Sequence, residues 1–168
     1  MDSAFGTAIL AILLLYLLLL VVSLVLAVLD VIAMWKLFEK AGEKGWTALI
    51  PIYNYFQMTK IATGSYTLGW VYLAVSGVYT MMTMISSIIM KFSDNNGGFV
   101  SLIFMMFLFA IILALAVLAG YISFMFSKAY NKPLIWNICM IFLSPILVIV
   151  MGFDKNTVYV GSGNRQNF

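Results

Sequence analysis

The stretch AILAILLLYLLLLVVSLVLAVL, from Ala8 to Leu29, decides the fold class of this chain. It carries no charged residue over about 22 positions, and at 1.5 Å per residue this length crosses a hydrocarbon layer of about 30 Å. No lysine or arginine precedes it, so it lacks the basic region of a secretory signal. We therefore expect a retained transmembrane helix.

The rest of the chain has the same character. Of its 168 residues, 64% are hydrophobic and 9% are charged, whereas soluble domains are about 45–50% apolar and about 25% charged. A single membrane domain, 1–168, is predicted with spans at about 8–35, 68–90, 100–126 and 134–150. Each span must be helical because lipid offers the backbone no hydrogen-bond partners. The predicted fold class is an all-α integral membrane protein with four transmembrane helices and an interfacial or re-entrant segment between the first and second.

Several activities are excluded by counting. The chain has no histidine and one cysteine, Cys139, which removes histidine-based zinc sites and Ser-His or Cys-His nucleophiles. No basic stripe follows a nucleic acid backbone, so no nucleic acid partner is expected. We predict no catalytic residue, no metal and no cofactor. One enzymatic alternative stays open, in which Asp30 and a lysine act on a lipid substrate.

The most varied region is GEKGWTALIPIYNYFQMTKIATG, residues 42–64, which brings charges, glycines, a proline and aromatic residues together and which we name the elbow. Gly42 suits the position after a helix end, and Pro51 suits a helix start. The helix from Pro51 should end near Gly64, with Asn54, Gln57 and Lys60 turned towards water. It is too short and too polar to span, so it should lie at the membrane interface or re-enter the membrane.

The elbow carries candidate contacts for a protein partner: Gly45, Trp46, Pro51, Tyr53 and Asn54. The alternative is that these residues only anchor the chain at the membrane surface and form a tight turn.

Polar side chains inside the spans form a second candidate set: Asp30, Ser76, Thr80, Thr83 and Ser87. The four hydroxyl residues share one helix face, where they can bond across packed helices or line a solute path. Asp30 can pair at the interface with Lys128 or Lys132, or it can belong to a proton or cation relay.

Lysine and arginine counts predict the orientation. Six lysines fall in the connections 36–66 and 127–133, against Lys91, Lys155 and Arg165 elsewhere. Because basic residues favour the cytoplasmic side, we expect these two connections in the cytoplasm. Four crossings would then place both termini outside, including the polar tail 154–168.

A weak internal repeat is visible. FEKAGEK at 38–44 resembles FSKAYNK at 126–132, and LIPI at 49–52 resembles LSPI at 143–146. Both copies would point the same way in the membrane, as in a parallel repeat.

Two strings in this chain resemble a known family. FEKAGEKGWTALIPIYNYFQMTKIA, with its Gly-Trp-x-x-Leu-Ile-Pro-Ile-Tyr-Asn signature, and LSPILVIVMGFDKNTVYVG are similar to the prokaryotic membrane family of domain of unknown function 5684. The chain departs from that pattern at AYNKPLIW. The resemblance implies a small multi-pass protein of the plasma membrane. Similar domains joined to a signal peptidase imply the secretion pathway, but no reaction or substrate.

These observations give two functional hypotheses. The first is a non-catalytic accessory or scaffold subunit of a transport or secretion assembly. The second is a small oligomeric channel or carrier for ions or small solutes, because four short spans enclose little volume in one copy. The expected partners are the lipid bilayer and either another membrane protein or further copies of the chain.

Overall fold

A computed structural model of the chain describes residues 2–92 and 97–162. Its helices are α1 (Asp2–Lys40), a 3-10 helix (Gly45–Leu49), α2 (Pro51–Thr63), α3 (Thr67–Phe92), α4 (Gly97–Lys128) and α5 (Leu134–Phe153). Helices α1, α3, α4 and α5 are each long and apolar enough to span a membrane. The predicted all-α class, with four helices long and apolar enough to span a membrane, is therefore confirmed. The expected polar turn 91–98 and the end of the tail, 163–168, extend outside the described residues.

The end of α1 has the local geometry that the sequence predicts. Gly42 has φ +76°, which only glycine adopts readily. The N–H of Glu43 donates to the carbonyl of Phe38 at 2.9 Å, and that of Gly42 donates to Glu39 at 3.0 Å. These two bonds form a Schellman motif, which satisfies carbonyls that the helix leaves free.

The elbow folds back beside the long helices. Leu49, at the end of the 3-10 helix, shares a cavity with Val31 and Ile32 of α1. Pro51 starts α2 as predicted, and it shares a cavity with Ser76 of α3. Ser76 is nine residues into α3, so the turn lies about 13 Å from the start of that helix. The elbow thus lies alongside α1 and α3 and not beyond their ends, which is the course that a re-entrant segment takes, and α2 ends at Gly64 as expected.

Helix α5 does not run straight. Its backbone is non-helical at Leu143, two residues before Pro145, and the kink divides it into arms 134–142 and 144–153. A straight helix of 20 residues would separate its ends by about 30 Å. Instead Lys132 Nζ lies 3.1 Å from Asp154 Oδ2 across the two ends. The two arms therefore fold back as a hairpin.

The tail after α5 continues beside the segment that precedes it. The N–H of Val160 donates to the carbonyl of Ala129 at 2.9 Å, and the rings of Tyr159 and Tyr130 are 5.7 Å apart. The tip of the hairpin is shallow, because Ile141 packs on Gly120 of α4, eight residues or about 12 Å before Lys128. The described tail thus lies on the elbow side, and the prediction that it emerges on the opposite side is wrong.

The hydrophobic core lies at the elbow-side end of the helices. It joins Phe38 of α1, Ile61 of α2, Phe126 of α4 and Met151 of α5, all of which are buried. In this core α1 packs against α5, while α4 packs against both α2 and α5. From Phe5 to Val28 almost every side chain of α1 is exposed, and among the described residues α1 has no backbone contact with α3 or α4. One end of the molecule is consequently compact, and the other end leaves α1 apart from α3 and α4.

The two halves of the sequence repeat occupy comparable positions. FEKAGEK ends α1 before the re-entrant elbow, and FSKAYNK ends α4 before the α5 hairpin. LIPI and LSPI each lie at the turn of a re-entrant segment, with Pro51 in one and Pro145 in the other. Each long helix also packs on the re-entrant segment that follows the other one. An origin by duplication stays a prediction.

Candidate functional site

Two aromatic residues form the exposed face of the elbow. The rings of Trp46 and Tyr53 lie nearly parallel, 7° apart in orientation and 6.2 Å between centroids. They are 47% and 46% exposed, and Leu49 and Ile50 beside them are exposed as well. We name Trp46, Leu49, Ile50 and Tyr53 the aromatic face. It is a rigid apolar surface that can contact lipid or protein.

Gly45 does not belong to that surface. It is buried, and a side-chain carbon placed on it would lie 2.3 Å from Cδ1 of Trp35. The Trp35 ring is held in turn, since its Nε1 donates to Glu39 Oε1 at 2.6 Å. Gly45 therefore lets the elbow approach α1 closely and, being buried, is not part of the exposed surface.

The other two predicted contacts lie at the start of α2. Pro51 is exposed at the first turn of the helix. Asn54 is half-buried, and its backbone N–H donates to the carbonyl of Ile50 at 2.7 Å. Its Oδ1 is buried and has no hydrogen-bond partner among the described residues. Pro51 thus extends the aromatic face, whereas Asn54 points an unused acceptor into the elbow.

A polar cluster holds the elbow to the end of α1. Lys60 Nζ lies 2.6 Å from Glu43 Oε1, and Gln57 Nε2 donates to the other oxygen of the same carboxylate. The hydrogen bond to Glu43 raises the pKa of Lys60. Gln57 is only 3% exposed, so the prediction that it turns towards water is wrong. The turn at Gly42 brings Glu43 back over α2, and an amide can then be buried with a partner.

Residues of the tail lie against this polar cluster. Tyr159 and Ser162 line a cavity of about 230 Å³ together with Glu43 and Lys60. The hydroxyl of Ser162 is buried without a partner among the described residues. Tail residues 159–162 thus pack against the elbow.

Sequence reasoning missed the residues that lock α5 to α1. The hydroxyl of Tyr130 donates to the carbonyl of Leu37 at 2.6 Å, and burial raises the pKa of that hydroxyl. Lys40 Nζ donates to the carbonyls of Met151 at 3.2 Å, Gly152 at 3.3 Å and Asp154 at 2.7 Å. A lysine on helix-end carbonyls is a favourable C-terminal cap. Nothing in the spacing of these residues signals their contact.

Asp154 completes that lock. Its carboxylate accepts from the backbone N–H of Asn156 at 2.9 Å, the hydroxyl of Thr157 at 2.8 Å and Lys132 Nζ at 3.1 Å. These bonds lower the pKa of Asp154 to about 2, with the backbone N–H as the largest cause. Lys132 therefore pairs with Asp154 and is not the partner of Asp30 that the sequence allowed.

Asp30 is half-buried on α1, one turn before Ala33, which packs on Gly152. Its Oδ1 is buried and lacks a hydrogen-bond partner among the described residues. The two ion pairs found in the described ranges, at Lys60 and Lys132, do not involve it. Asp30 is thus separate from the elbow cluster and from the hydroxyl residues of α3.

The hydroxyl groups of α3 bond within their own helix. Ser76 donates to Leu73, Thr80 to Ser76, Thr83 to Thr80, and Ser87 to Met84, all at backbone carbonyls 2.7–2.9 Å away. Thr80 and Ser87 are exposed, while Ser76 and Thr83 are half-exposed. Their hydroxyl protons therefore do not link α3 to another helix in this single copy. Within residues 2–92 and 97–162, no group of three or more acidic or cysteine side chains could hold a metal ion.

Comparison with known proteins matches one family. No curated protein and no solved structure matches the chain significantly. Residues 46–123 match the family described as Family of unknown function (DUF5684). The match begins in the elbow and ends within α4, so the elbow, α3 and most of α4 are similar to that family, which has no assigned function.

Proposed function

We propose that the protein is a non-catalytic scaffold or accessory subunit of a transport or secretion assembly in a prokaryotic plasma membrane. The observation that carries this proposal is the aromatic face on a rigid elbow. Behind that face, Gly45 packs on Trp35 and the Glu43–Lys60 pair fixes α2. A surface that is ordered before binding loses little entropy when a partner docks.

The partner in this proposal is another membrane protein. The exposed Leu49 of the aromatic face shares a cavity with Val31 and Ile32 of the first apolar helix. A partner that reaches this face must itself enter the membrane interface. Buried aromatic anchors are the residues that most often dominate such contacts.

The orientation follows from the distribution of lysines. Because the tail lies with the elbow, Lys155 joins the six lysines of the two connections on that side. Lys91 lies at the far end of α3. This asymmetry favours the elbow and tail in the cytoplasm and the start of α1 outside.

The test is recovery of a partner from the native membrane. Extraction in native lipid patches followed by mass spectrometry should find one membrane protein in near-equal amount with the wild-type chain. Trp46→Ala combined with Tyr53→Ala should lose it, whereas Trp70→Ala, at a more exposed tryptophan of α3, should retain it. Recovery of the wild-type chain alone would refute the scaffold role.

The channel alternative has a separate test. Liposomes that contain only this protein should show no ion or solute flux above empty liposomes, since the α3 hydroxyls bond within their own helix. Flux that falls when Thr80 and Thr83 are replaced by leucine would favour an oligomeric channel instead.

A further inference from the structure

A polar cavity lies where the end of α5 meets the end of α1. Its volume is about 450 Å³. Three lysines and two carboxylates belong to its wall, which comprises Lys36, Glu39, Lys40, Gly152, Phe153, Asp154 and Lys155. It is separate from the aromatic face and from the Glu43–Lys60 cluster.

Two of the three lysines are available to a ligand. Lys40 uses its ammonium group on three backbone carbonyls, so it builds the wall. Lys36 and Lys155 are exposed, and the ion pairs within the described ranges use other lysines. Lys36 Nζ lies 4.0 Å from the centroid of the Phe153 ring, which holds it at the cavity.

The two carboxylates of the wall are already engaged. Glu39 accepts from Trp35 Nε1, and Asp154 accepts from Lys132, which stands outside the wall. Positive charge therefore exceeds negative charge around the cavity, and the uncommitted groups are both cationic. Such a cavity favours an anion that can pair with two ammonium groups.

An apolar cavity adjoins the polar one. It shares Lys36 and Glu39 with it and continues along α1 between Val31, Ile32 and Leu49. Its volume is also about 450 Å³. Because Val31 and Ile32 precede Lys36 on α1, this apolar cavity extends from the charged end of the helix towards the membrane interior. A ligand that fills both cavities has an anionic head and an apolar chain.

We propose that the two cavities bind one anionic phospholipid. Lys36 and Lys155 pair with the phosphate group of its head, and an acyl chain lies against Val31, Ile32 and Leu49. The site joins α1 to the α5 hairpin, so the bound lipid also bridges these two elements. The proposal does not depend on the scaffold role.

The experiment is a titration of the purified, delipidated protein with phosphatidylglycerol, followed by native mass spectrometry. Lys36→Gln and Lys155→Gln should each weaken binding about fivefold, since a lysine near an anionic headgroup contributes on the order of 1 kcal/mol. Lys44→Gln removes the same charge from an exposed position outside the cavity, and it should change binding less than twofold. Equal losses in all three variants would mean general charge attraction and would overturn the site.

Two further ligands separate the possible sources of the phosphate. Phosphatidylcholine, whose head is neutral overall, should bind at least fivefold more weakly than phosphatidylglycerol. Inorganic phosphate should not displace the lipid, because it has no acyl chain. Displacement by inorganic phosphate would identify a free-anion site and overturn the lipid assignment. Ile32→Trp provides a second readout, as a bulky ring in the apolar cavity should weaken lipid binding while Lys36 and Lys155 remain.

Discussion

Replacing Gly152 with alanine distinguishes a folded-back α5 from a straight one. A side-chain carbon at position 152 would lie 2.6 Å from both Cα and Cβ of Ala33 and 2.7 Å from its carbonyl oxygen. Carbon atoms pack at about 3.5–4.0 Å, so α1 and the second arm of α5 must separate by on the order of 1 Å. In a straight α5, residue 152 would be far from Ala33 and alanine would meet no obstacle.

The magnitude follows from two opposing terms. Forcing a methyl group into a filled contact costs about 1–3 kcal/mol, and alanine in a helix gains up to about 1 kcal/mol over glycine. The expected net loss is about 0–2 kcal/mol relative to the wild type, and about 1–3 kcal/mol relative to a glycine-to-alanine change at a helix position without such a contact. For a chain of this size, that difference from the control should lower the apparent midpoint of thermal unfolding by about 2–12 °C.

The assay is thermal unfolding of the purified protein in detergent, with Gly77→Ala as the matched control. Gly77 also lies within a helix, and no atom stands within 4 Å of a side-chain carbon placed there. We expect this control to unfold at the wild-type temperature or slightly above it. If Gly152→Ala is as stable as Gly77→Ala, the contact between α5 and Ala33 does not exist and the folded-back arrangement is refuted.

Two further predictions concern the contacts of Tyr130 and Asp154 at the two ends of α5. Tyr130→Phe removes the buried hydrogen bond to the carbonyl of Leu37 and should lower the free energy of unfolding by about 1–2 kcal/mol. Tyr121→Phe, at an exposed position, should leave the unfolding temperature unchanged. Equal effects of the two variants would refute the hydrogen bond. The pKa of Asp154 is lowered from 3.8 to about 2, so this carboxylate stabilises the fold above pH 3.8, and that contribution is lost as the pH falls through about 2. Asp154→Asn should flatten the dependence of the unfolding temperature on pH between about 4 and 2, and an unchanged dependence would contradict the assigned bonds.

Local signals in the sequence predicted local structure well. Gly42 and Gly64 end their helices with positive φ, and Pro51 starts α2. These features depend on backbone sterics at a single residue, so the identity of that residue is enough to predict them. The apolar runs likewise predicted helices long enough to span, because length and hydropathy are properties of a segment by itself.

The folded-back course of α5 could not be predicted from the length and hydropathy of the segment. A straight span and a folded hairpin of 20 residues have the same length and hydropathy. Pro145 inside the run was the available signal, since proline kinks helices, but the run was predicted to be a span. The contacts that hold the hairpin, from Lys40 and Tyr130, join positions far apart in sequence.

The residues of the candidate site were predicted only in part, because burial depends on contacts between segments that are far apart in sequence. Trp46 and Tyr53 lie on the surface, as their amphipathic side chains suggest. Gly45 and Gln57 are inside, because Trp35 covers the first and Glu43 binds the second. Burial of these two residues depends on how the elbow returns against α1, and no single-residue preference encodes that approach.

The most direct test of the folded-back α5 is the side of the membrane on which the tail lies. In a background with Cys139→Ser, single cysteines at Lys44, Asn156 and Asn96 can be treated in intact cells with a membrane-impermeant thiol reagent. We expect the cysteines at positions 44 and 156 to react only after permeabilisation and the cysteine at position 96, between α3 and α4, to react in intact cells. Labelling of position 156 together with position 96, and not with position 44, would mean that α5 crosses the membrane and would contradict the hairpin.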